Sequence, residues 1–220
     1  MAANRSRWAP LAGVAFVVLL VLGAVLAGSE PRGGSSAARI VAFYTVHRTT
    51  VKASDLLTAL AVVVGLLFYG YLRDCLSGTG ASARLAATAF GGAVVFAVGG
   101  LTGAGAQYAL ADIPARLAPG AAQALNLLQN DLAGFTVNAG AAVLLIASGS
   151  AVLAGRRLPA WTGWLAVVLG LLTLVPVPNS GALTAGVWTL LASILLIIRG
   201  GSAASAESRD AGHPVSSAAR

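Results

Sequence analysis

The sequence predicts an all-α, polytopic membrane helix bundle with six transmembrane helices and one external amphipathic helix. Hydrophobic residues make up 57% of the 220 residues, charged residues 10%, and the mean hydropathy is +0.83. A typical soluble domain has about 25% charged residues. The apolar residues also fall into six runs, each near the length of about 20 residues with which a helix crosses a bilayer. The runs lie near residues 8–27, 55–72, 84–106, 124–153, 160–175 and 182–198.

The charge pattern and the cysteine content argue against several other classes of protein. The net charge is +7 and the pI about 10.8, but the basic residues mostly flank the apolar runs, where they set orientation and bind lipid headgroups. The sequence has no compact basic domain of the kind that binds nucleic acid, so we expect no nucleic-acid partner. The single cysteine, Cys75, excludes an internal disulfide and a multi-cysteine metal site.

The first predicted span, 8–27, follows a short cytoplasmic N-terminus, 1–7, that contains Arg5 and Arg7. Small residues near Ala27 are typical of a signal-peptide cleavage point. The apolar run is about 20 residues long, whereas the apolar core of a signal peptide has about 7–15 residues. We therefore expect an uncleaved transmembrane helix.

An external loop, 29–54, follows the first span. Its first residues, 29–36, are rich in glycine and serine and contain a proline, which is typical of a flexible linker. The next part, 39–52, has apolar and aromatic residues at the spacing of one helix face. Such an amphipathic helix would lie along the outer face of the membrane or cover the mouth of the bundle. The stripe consists of Ile40, Phe43, Tyr44, His47 and Val51.

The second and third spans carry local signals for capping and packing. Ser54 is available as an N-cap for the second span, 55–72, because a serine side chain accepts a hydrogen bond from the first N–H groups of a helix. The third span, 84–106, contains Gly99 and Gly103 at GxxxG spacing. Small residues at this spacing allow a neighbouring backbone to approach closely. We therefore expect both glycines to lie in a helix–helix contact.

The second half of the chain supplies the remaining three spans. A polar loop, 107–119, precedes the fourth span, 124–153, which is longer than the roughly 20 residues that a bilayer requires. Its first turns are therefore expected to protrude or to contact other helices. The fifth span, 160–175, is followed by a proline-containing turn and the sixth span, 182–198. The tail, 200–220, is predicted to be disordered and cytoplasmic.

The basic residues favour an orientation with both termini in the cytoplasm, in a bacterial cytoplasmic membrane. Of the basic residues that flank the apolar runs, seven are then cytoplasmic and five are external. The cytoplasmic residues are Arg5, Arg7, Arg73, Arg84, Arg156, Arg157 and Arg199. The external residues are Arg32, Arg39, Arg48, Lys52 and Arg116. Four of the external five lie in the long first loop, and shorter loops discriminate better.

The fourth span is the predicted helix with a polar face. Amides in hydrocarbon commonly form interhelical hydrogen bonds, worth about 1 kcal/mol each. Asp131 is the sharper candidate, because an ionisable group at membrane depth marks an ion path or ligand contact unless it lies at the interface. Packing and a binding or transport role are therefore the alternatives. The face consists of Gln123, Asn126, Asn130, Asp131 and Asn138.

His47 is the other candidate binding residue. A lone histidine on an amphipathic stripe is usually interfacial, although titration near neutral pH allows a sensing role. The second histidine, His213, lies in the tail, so no metal pair is predicted. The glycine-containing loop 78–83 follows a membrane helix instead of a strand and is no dinucleotide fingerprint. In the absence of other catalytic motifs, the sequence predicts no catalytic residue, no metal site and no cofactor.

Three stretches of the chain carry a resemblance to a known group. They are the external segment with Phe43, Tyr44, His47 and Arg48, the sequence YLRD at 71–74, and RLPAWTGW at 157–164. Over most of residues 8–198 the chain resembles a group of uncharacterised actinobacterial membrane proteins, in which the loop before the fifth helix often reads Leu-Pro-x-Trp-x-Gly-Trp. The resemblance implies a six-helix fold and a bacterial cytoplasmic membrane, and it implies no activity.

Three functions are compatible with these patterns. The first, favoured because it requires no catalytic residues, is a non-enzymatic membrane component that interacts with the lipid bilayer, a membrane protein partner or a second copy of itself. The second is a small-solute or ion transporter that uses Asp131 and the asparagines of the fourth span, although the two halves show no clear repeat. The third is a membrane enzyme that acts on a lipid-like substrate with His47, Asp112 or Asp131.

Overall fold

The secondary structure of the described residues is entirely helical, which confirms the predicted all-α class. The structure, a computed structural model, describes residues 2–155, 158–175 and 180–211, with side chains between 8 and 199 outside the same gaps. Among these residues a 3₁₀ turn occupies Pro114–Arg116 and a π-helical segment occupies Leu128–Ala133. The α-helices are α1 (Ala2–Ala27), α2 (Ala37–Val46), α3 (Arg48–Leu76), α4 (Ala81–Asp112), α5 (Pro119–Leu127), α6 (Gly134–Gly155), α7 (Ala160–Leu172) and α8 (Ser180–Ala211).

Helices α1 and α3 pack antiparallel, and α8 packs against α1. Gly23, near the end of α1, lies against Ser54, near the start of α3. Gly13, in the middle of α1, lies against Phe68, farther along α3. Gly13 also contacts Ser193 in α8. The middle of α1 therefore lies against the middle of α8.

Helices α4 and α6 pack with their backbones in contact. A Cβ atom on Gly92 of α4 would overlap the backbone at Leu144 of α6. A Cβ atom on Gly140 of α6 would overlap the backbone at Phe96 of α4. Since no larger residue fits at these two positions, glycine sets the distance between the helices.

Five helices in the described residues are long and apolar enough to cross a membrane, one fewer than the six predicted spans. The predicted fifth span corresponds to α7, which has 13 residues, or about 20 Å of helix at 1.5 Å per residue. The apolar sequence continues to Val175, but the helix ends at Leu172. The prediction overestimated this helix because apolar composition does not by itself fix where a helix ends. The five long helices are α1, α3, α4, Pro119–Gly155 and α8.

The chain nevertheless returns along the bundle between α6 and α8. Helix α6 ends at Gly155, yet Gly181 in the first turn of α8 donates its N–H to Asn138, near the start of α6, at 2.9 Å. Helix α7 provides part of this return, because it packs along α6. Arg156 and Arg157 and most of the predicted turn 176–181 lie outside the described residues.

The external loop differs from the prediction at one helix boundary. The predicted helix 39–52 is divided at His47, which separates α2 from α3. Ser54, the predicted N-cap of the second span, lies inside α3, and its hydroxyl donates to the Gly23 carbonyl oxygen at 2.8 Å. The N-cap prediction is wrong because α3 begins almost two turns earlier, where Val51 is buried against α2 and its neighbours.

Two segments predicted to be irregular are partly helical. Helix α4 continues to Asp112 and includes part of the predicted loop 107–119. Helix α8 continues to Ala211 and includes part of the tail 200–220 that was expected to be disordered. Alanine, the strongest helix former, is common in both segments. Residues 212–220 lie outside the described part of the chain.

Candidate functional site

Buried and half-buried polar side chains gather at the end of the bundle that holds the 28–36 linker and α2, which we call the outer end. We call this group the outer polar cluster. It combines residues of the linker, α2, α3, α4 and the continuous helix Pro119–Gly155. Its members are Glu30, Tyr44, Asp55, Gln107, Asn126, Gln129 and Asn130.

Helix α2 covers the outer end because its apolar face packs into a small core. Ser36 caps the helix by accepting a hydrogen bond from the Arg39 N–H at 3.4 Å. This core buries one side of α2 against α3, α4 and α5, so α2 covers the mouth of the bundle, one of the two placements that its pattern predicts. The core consists of Ile40, Tyr44, Val51, Leu110, Ala111 and Ala122.

The π-helical segment Leu128–Ala133 helps to place the amides of the cluster. A π turn contains more residues than an α turn, so it rotates the side chains that follow it relative to those that precede it. Gln129 in this segment contacts Tyr44, whereas Asn126 and Asn130 contact the linker backbone. π-bulges are rare and occur frequently at functional sites.

A chain of hydrogen bonds joins α2 to the linker through Gln129. The Tyr44 hydroxyl donates to Gln129 Oε1 at 2.9 Å, and Gln129 Nε2 donates to Glu30 Oε2. Burial raises the pKa of Glu30 above its ordinary value, and hydrogen bonds from Gln107 and Gln129 partly oppose this shift. Burial and the nearby carboxylates of Glu30 and Asp55 raise the pKa of Tyr44. The tyrosine is therefore a hydrogen-bond donor at neutral pH.

Two asparagines attach the linker to the bundle. Asn126, which is completely buried, donates its Nδ2 to the Arg32 carbonyl oxygen at 2.9 Å. Asn130 Nδ2 donates to the Pro31 carbonyl oxygen at 3.3 Å and to the Asn126 carbonyl oxygen at 2.9 Å. Because both amides donate to backbone carbonyl oxygens of the linker, they hold the linker against the bundle.

Asp55 is the most deeply buried carboxylate of the cluster. The residue is 4% exposed, and neither carboxylate oxygen has a hydrogen-bond partner within the described part of the chain. Glu30 and Tyr44 lie within electrostatic reach of it. A buried carboxylate without a partner is strongly unfavourable in its charged form. Chemically, such a group takes up a proton or binds a cation.

The predicted polar face of the fourth span is only partly brought together. Asn126 and Asn130 belong to the outer polar cluster. Asn138 lies farther along the helix, where its side-chain oxygen accepts the Gly181 N–H and so satisfies a backbone donor in the first turn of α8.

Gln123 and Asp131 from the same predicted face make no side-chain hydrogen bond among the described residues and are exposed. The Asp131 carboxylate lies beside Gly33 of the linker, where a Cβ atom would come within 3.2 Å of it. A carboxylate beside the linker lies at the end of the bundle, where it avoids the cost of burial in hydrocarbon. The geometry of Asp131 therefore favours the interfacial alternative over the deep one.

The residues considered for an enzyme have surface contacts. His47 is exposed, with its ring stacked on Phe43 at 4.5 Å and its Nδ1 3.0 Å from the Phe43 carbonyl oxygen. Asp112 pairs with Arg48 at 3.4 Å and with Lys52. Exposed pairs of this kind contribute about 0–1 kcal/mol each. No contact within the described residues joins His47 to Asp112.

Gly99 and Gly103 both lie in the contact between α4 and the helix Pro119–Gly155. A Cβ atom on Gly99 would lie 2.7 Å from the Val137 nitrogen. A Cβ atom on Gly103 would lie 3.3 Å from the Ala133 side chain. These glycines are therefore used for packing within the chain.

Sequence reasoning missed four members of the outer polar cluster. Asp55 carries a signal that could have found it, because it is an ionisable residue inside an apolar run. Gln107 and Gln129 resemble ordinary loop and helix residues, and Glu30 resembles a charge in a flexible linker. Their proximity depends on how the linker folds back over the helix end, and no local pattern encodes that contact.

The described residues form an all-α bundle with a covered, polar outer end, and five of its helices are long and apolar enough to cross a membrane, as expected of a multi-pass membrane protein. No protein-family model, curated protein or solved structure matches the chain. Within the described residues, no group of three or more His, Cys, Asp or Glu side chains is placed to hold a metal ion.

Proposed function

We propose that this protein is a non-enzymatic component of a bacterial cytoplasmic membrane that interacts with lipids or with the helices of a membrane protein. The main support is the way the chain uses the asparagines of the helix Pro119–Gly155. Asn126 and Asn130 bind the linker, and Asn138 binds the first turn of α8. Since these side chains hold the chain itself together, the exposed apolar helix faces are left to contact other molecules.

The outward face of α7 is the surface that we assign to this interaction. One side of α7 packs on α6 at Gly163, where a Cβ atom would lie 2.9 Å from the Gly149 carbonyl oxygen. The opposite side carries exposed apolar residues at helical spacing, with two tryptophans at its first turns. Tryptophan is enriched where a helix meets the membrane interface. The face consists of Trp161, Trp164, Val168, Leu171 and Leu172.

The proposed orientation has both termini in the cytoplasm. The contact between Gly23 and Ser54 supports it for the N-terminus, because the end of α1 then lies at the outer end and the start of α1 at the opposite end. Arg73 and Arg84, which flank the connection between α3 and α4, fit a cytoplasmic end by the positive-inside rule.

Extraction of the full chain in a mild detergent, followed by native mass spectrometry, tests the proposed interaction. We expect bound lipid or a bound protein, and we expect Trp164→Ala with Val168→Ala to reduce the bound fraction. Val18→Ala with Val25→Ala, on the exposed side of α1, is the matched control and should retain it. A wild-type monomer that retains neither lipid nor protein would count against the proposal. The transporter and enzyme hypotheses, like the actinobacterial resemblance, stay predictions.

A further inference from the structure

We propose that Asp55 and Glu30 form a proton-binding site at the outer end, and that loss of the proton releases the linker from the bundle. This inference concerns a different part of the molecule from the face of α7 and does not depend on the proposed partner. It rests on the burial of Asp55, on the position of Glu30 in the linker, and on the charges that surround them.

The burial of Asp55 requires a neutralising ligand. Both of its carboxylate oxygens are enclosed and lack a hydrogen-bond donor within the described residues. A charged carboxylate in such a place loses its hydration without compensation. Ser54, its neighbour in α3, is also buried but donates to the Gly23 carbonyl oxygen. The unsatisfied polar group at this position is therefore the carboxyl group of Asp55.

The carboxylate of Glu30 makes the charged form of Asp55 still less favourable. Glu30 lies near Asp55, because its partner Gln129 is bonded to Tyr44, and Tyr44 packs in one core with Val51, one turn before Asp55 in α3. Two carboxylates that are close together in a low-dielectric site hold one proton more tightly than either would alone. The site titrates as a pair, so the proton belongs to both groups. The raised pKa of Glu30, which results from burial, agrees with this arrangement.

The basic residues near the outer end have other partners or are exposed. On α3, Arg48 and Lys52 pair with Asp112 at the end of α4, and Lys52 also lies 4.8 Å from the centre of the Tyr108 ring. Arg32 in the linker, Arg39 on α2 and Arg116 in the 3₁₀ turn are exposed. These cations therefore leave the Asp55 carboxylate unpaired.

The remaining titratable groups around the pair add no positive charge. On α2, Tyr44 stays protonated and donates to Gln129, and His47 is exposed and bound to its own helix. On the π-helical segment, Asp131 is exposed beside the linker. α1 contributes no titratable side chain between Trp8 and Ala27. The site is therefore acidic overall.

A proton fits this site better than a metal ion does. A hard metal cation requires about six or more oxygen ligands at short distance. The amide oxygen of Gln129 is already an acceptor for Tyr44, and its nitrogen is already a donor to Glu30. A proton needs one carboxylate oxygen and no additional space, and enclosed Asp55 supplies that.

Because Glu30 belongs to the linker, the protonation of the pair affects how the linker is held. When both carboxyl groups are charged, their repulsion acts between α3 and the linker. The linker is otherwise held by the hydrogen bonds from Asn126 and Asn130. We therefore expect the linker to open as the pair loses its proton and to close again when the proton returns.

Infrared spectroscopy of the full chain in lipid nanodiscs, recorded over a pH titration, tests the site directly. We expect the carbonyl band of a protonated carboxylic acid at neutral pH in the wild type. Asp55→Asn, which keeps the shape of the side chain, should remove it. In Glu30→Gln the carbonyl band of Asp55 should disappear at a lower pH than in the wild type, because the negative charge of Glu30 no longer repels that of Asp55. Asp131→Asn is the matched control and should leave the band unchanged.

Hydrogen exchange of residues 28–36 provides the second readout, after correction for the intrinsic pH dependence of exchange. Exchange in the wild type should rise as the carboxylic acid band disappears, and Glu30→Gln should suppress this rise even if Asp55→Asn does not fold. Absence of the band in the wild type, or its persistence in both variants, would overturn the proposal. Stabilisation of the wild type but not of Glu30→Gln by sodium, calcium or magnesium chloride would assign the pair to a metal cation and overturn it as well.

Discussion

Gly140 lies with its α-carbon against the backbone of α4, so the space for a side chain is already occupied at Phe96. Backbone atoms cannot rotate away as a side chain can, and a methyl group at this position would push the two helices apart. We expect Gly140→Ala to lower the free energy of unfolding by about 1–3 kcal/mol, the usual cost of overpacking. Gly91→Ala is the control, because Gly91 has open space around it on the same helix pair. Equal thermal stability of both variants in detergent would contradict this account of the contact.

The side-chain amide of Asn126 is a second single-residue contact, because it attaches the linker to the bundle. Asn126→Leu keeps a similar volume but loses the hydrogen bond to the Arg32 carbonyl oxygen. Such a bond is worth about 1 kcal/mol, so linker exchange should become about fivefold faster. Gln123→Leu changes an exposed amide of the same helix and should have little effect. Hydrogen exchange by mass spectrometry over residues 28–36 measures the difference, and identical rates in the two variants would refute the role of Asn126.

The ionisation of Glu30 predicts how stability depends on pH. Because burial raises the pKa of Glu30, the folded protein binds this proton more tightly than the unfolded chain. The resulting stabilisation is complete below the ordinary pKa of glutamic acid and is lost as the pH rises through the raised folded value. Glu30→Gln should therefore be more stable than the wild type at neutral and alkaline pH, and the difference should shrink in acid. Thermal unfolding at a series of pH values checks this, and parallel curves for the two proteins would contradict it.

At the scale of elements, α2 depends on its apolar face. Ile40 is fully buried under the outer end, whereas Val46 on the same helix is 78% exposed. Ile40→Ala should weaken the attachment of α2 by about 2–5 kcal/mol, because burying a smaller side chain leaves a cavity. Val46→Ala should change it little. Limited proteolysis of the 37–47 region separates the variants, and the expectation fails if both are cut at the wild-type rate.

The sequence predicts the helices well because apolar runs of bilayer length have few other solutions. It predicts boundaries less well. The division between α2 and α3 at His47 lies inside a stripe of continuous helical spacing, so periodicity alone does not show it. Helix α7 is shorter than its apolar run for a similar reason. In both places neither periodicity nor apolar composition marks where the helix begins or ends.

The candidate site was predictable only in part. Asn126 and Asn130 lie on the polar face that the sequence predicts, because 3.6-residue periodicity identifies the side of a helix. The π-helical segment around Gln129 changes this periodicity locally. The pattern of apolar and polar residues in the sequence does not predict that segment. Asp55 lies in α3 and Glu30 lies in the linker. A single sequence does not show that residues of two different elements come close together.

At the scale of the whole molecule, the account depends on helices that cross the membrane in alternating directions. Helix α3 runs from the outer end, where Ser54 meets Gly23, to the connection with α4 at the opposite end. Helix α4 returns to the outer end, where Asp112 pairs with Lys52. The linker and the 3₁₀ turn therefore lie on one side of the membrane, and the α3–α4 connection lies on the other.

Labelling of single cysteines by a membrane-impermeant thiol reagent tests this arrangement most directly. In a Cys75→Ser background, the exposed positions Gly34, Thr79 and Ala115 are changed to cysteine one at a time. We predict that Gly34→Cys and Ala115→Cys are labelled in intact bacterial cells, and that Thr79→Cys is labelled only after the membrane is permeabilised. Labelling of Gly34→Cys and Thr79→Cys from the same side of the membrane would contradict the account.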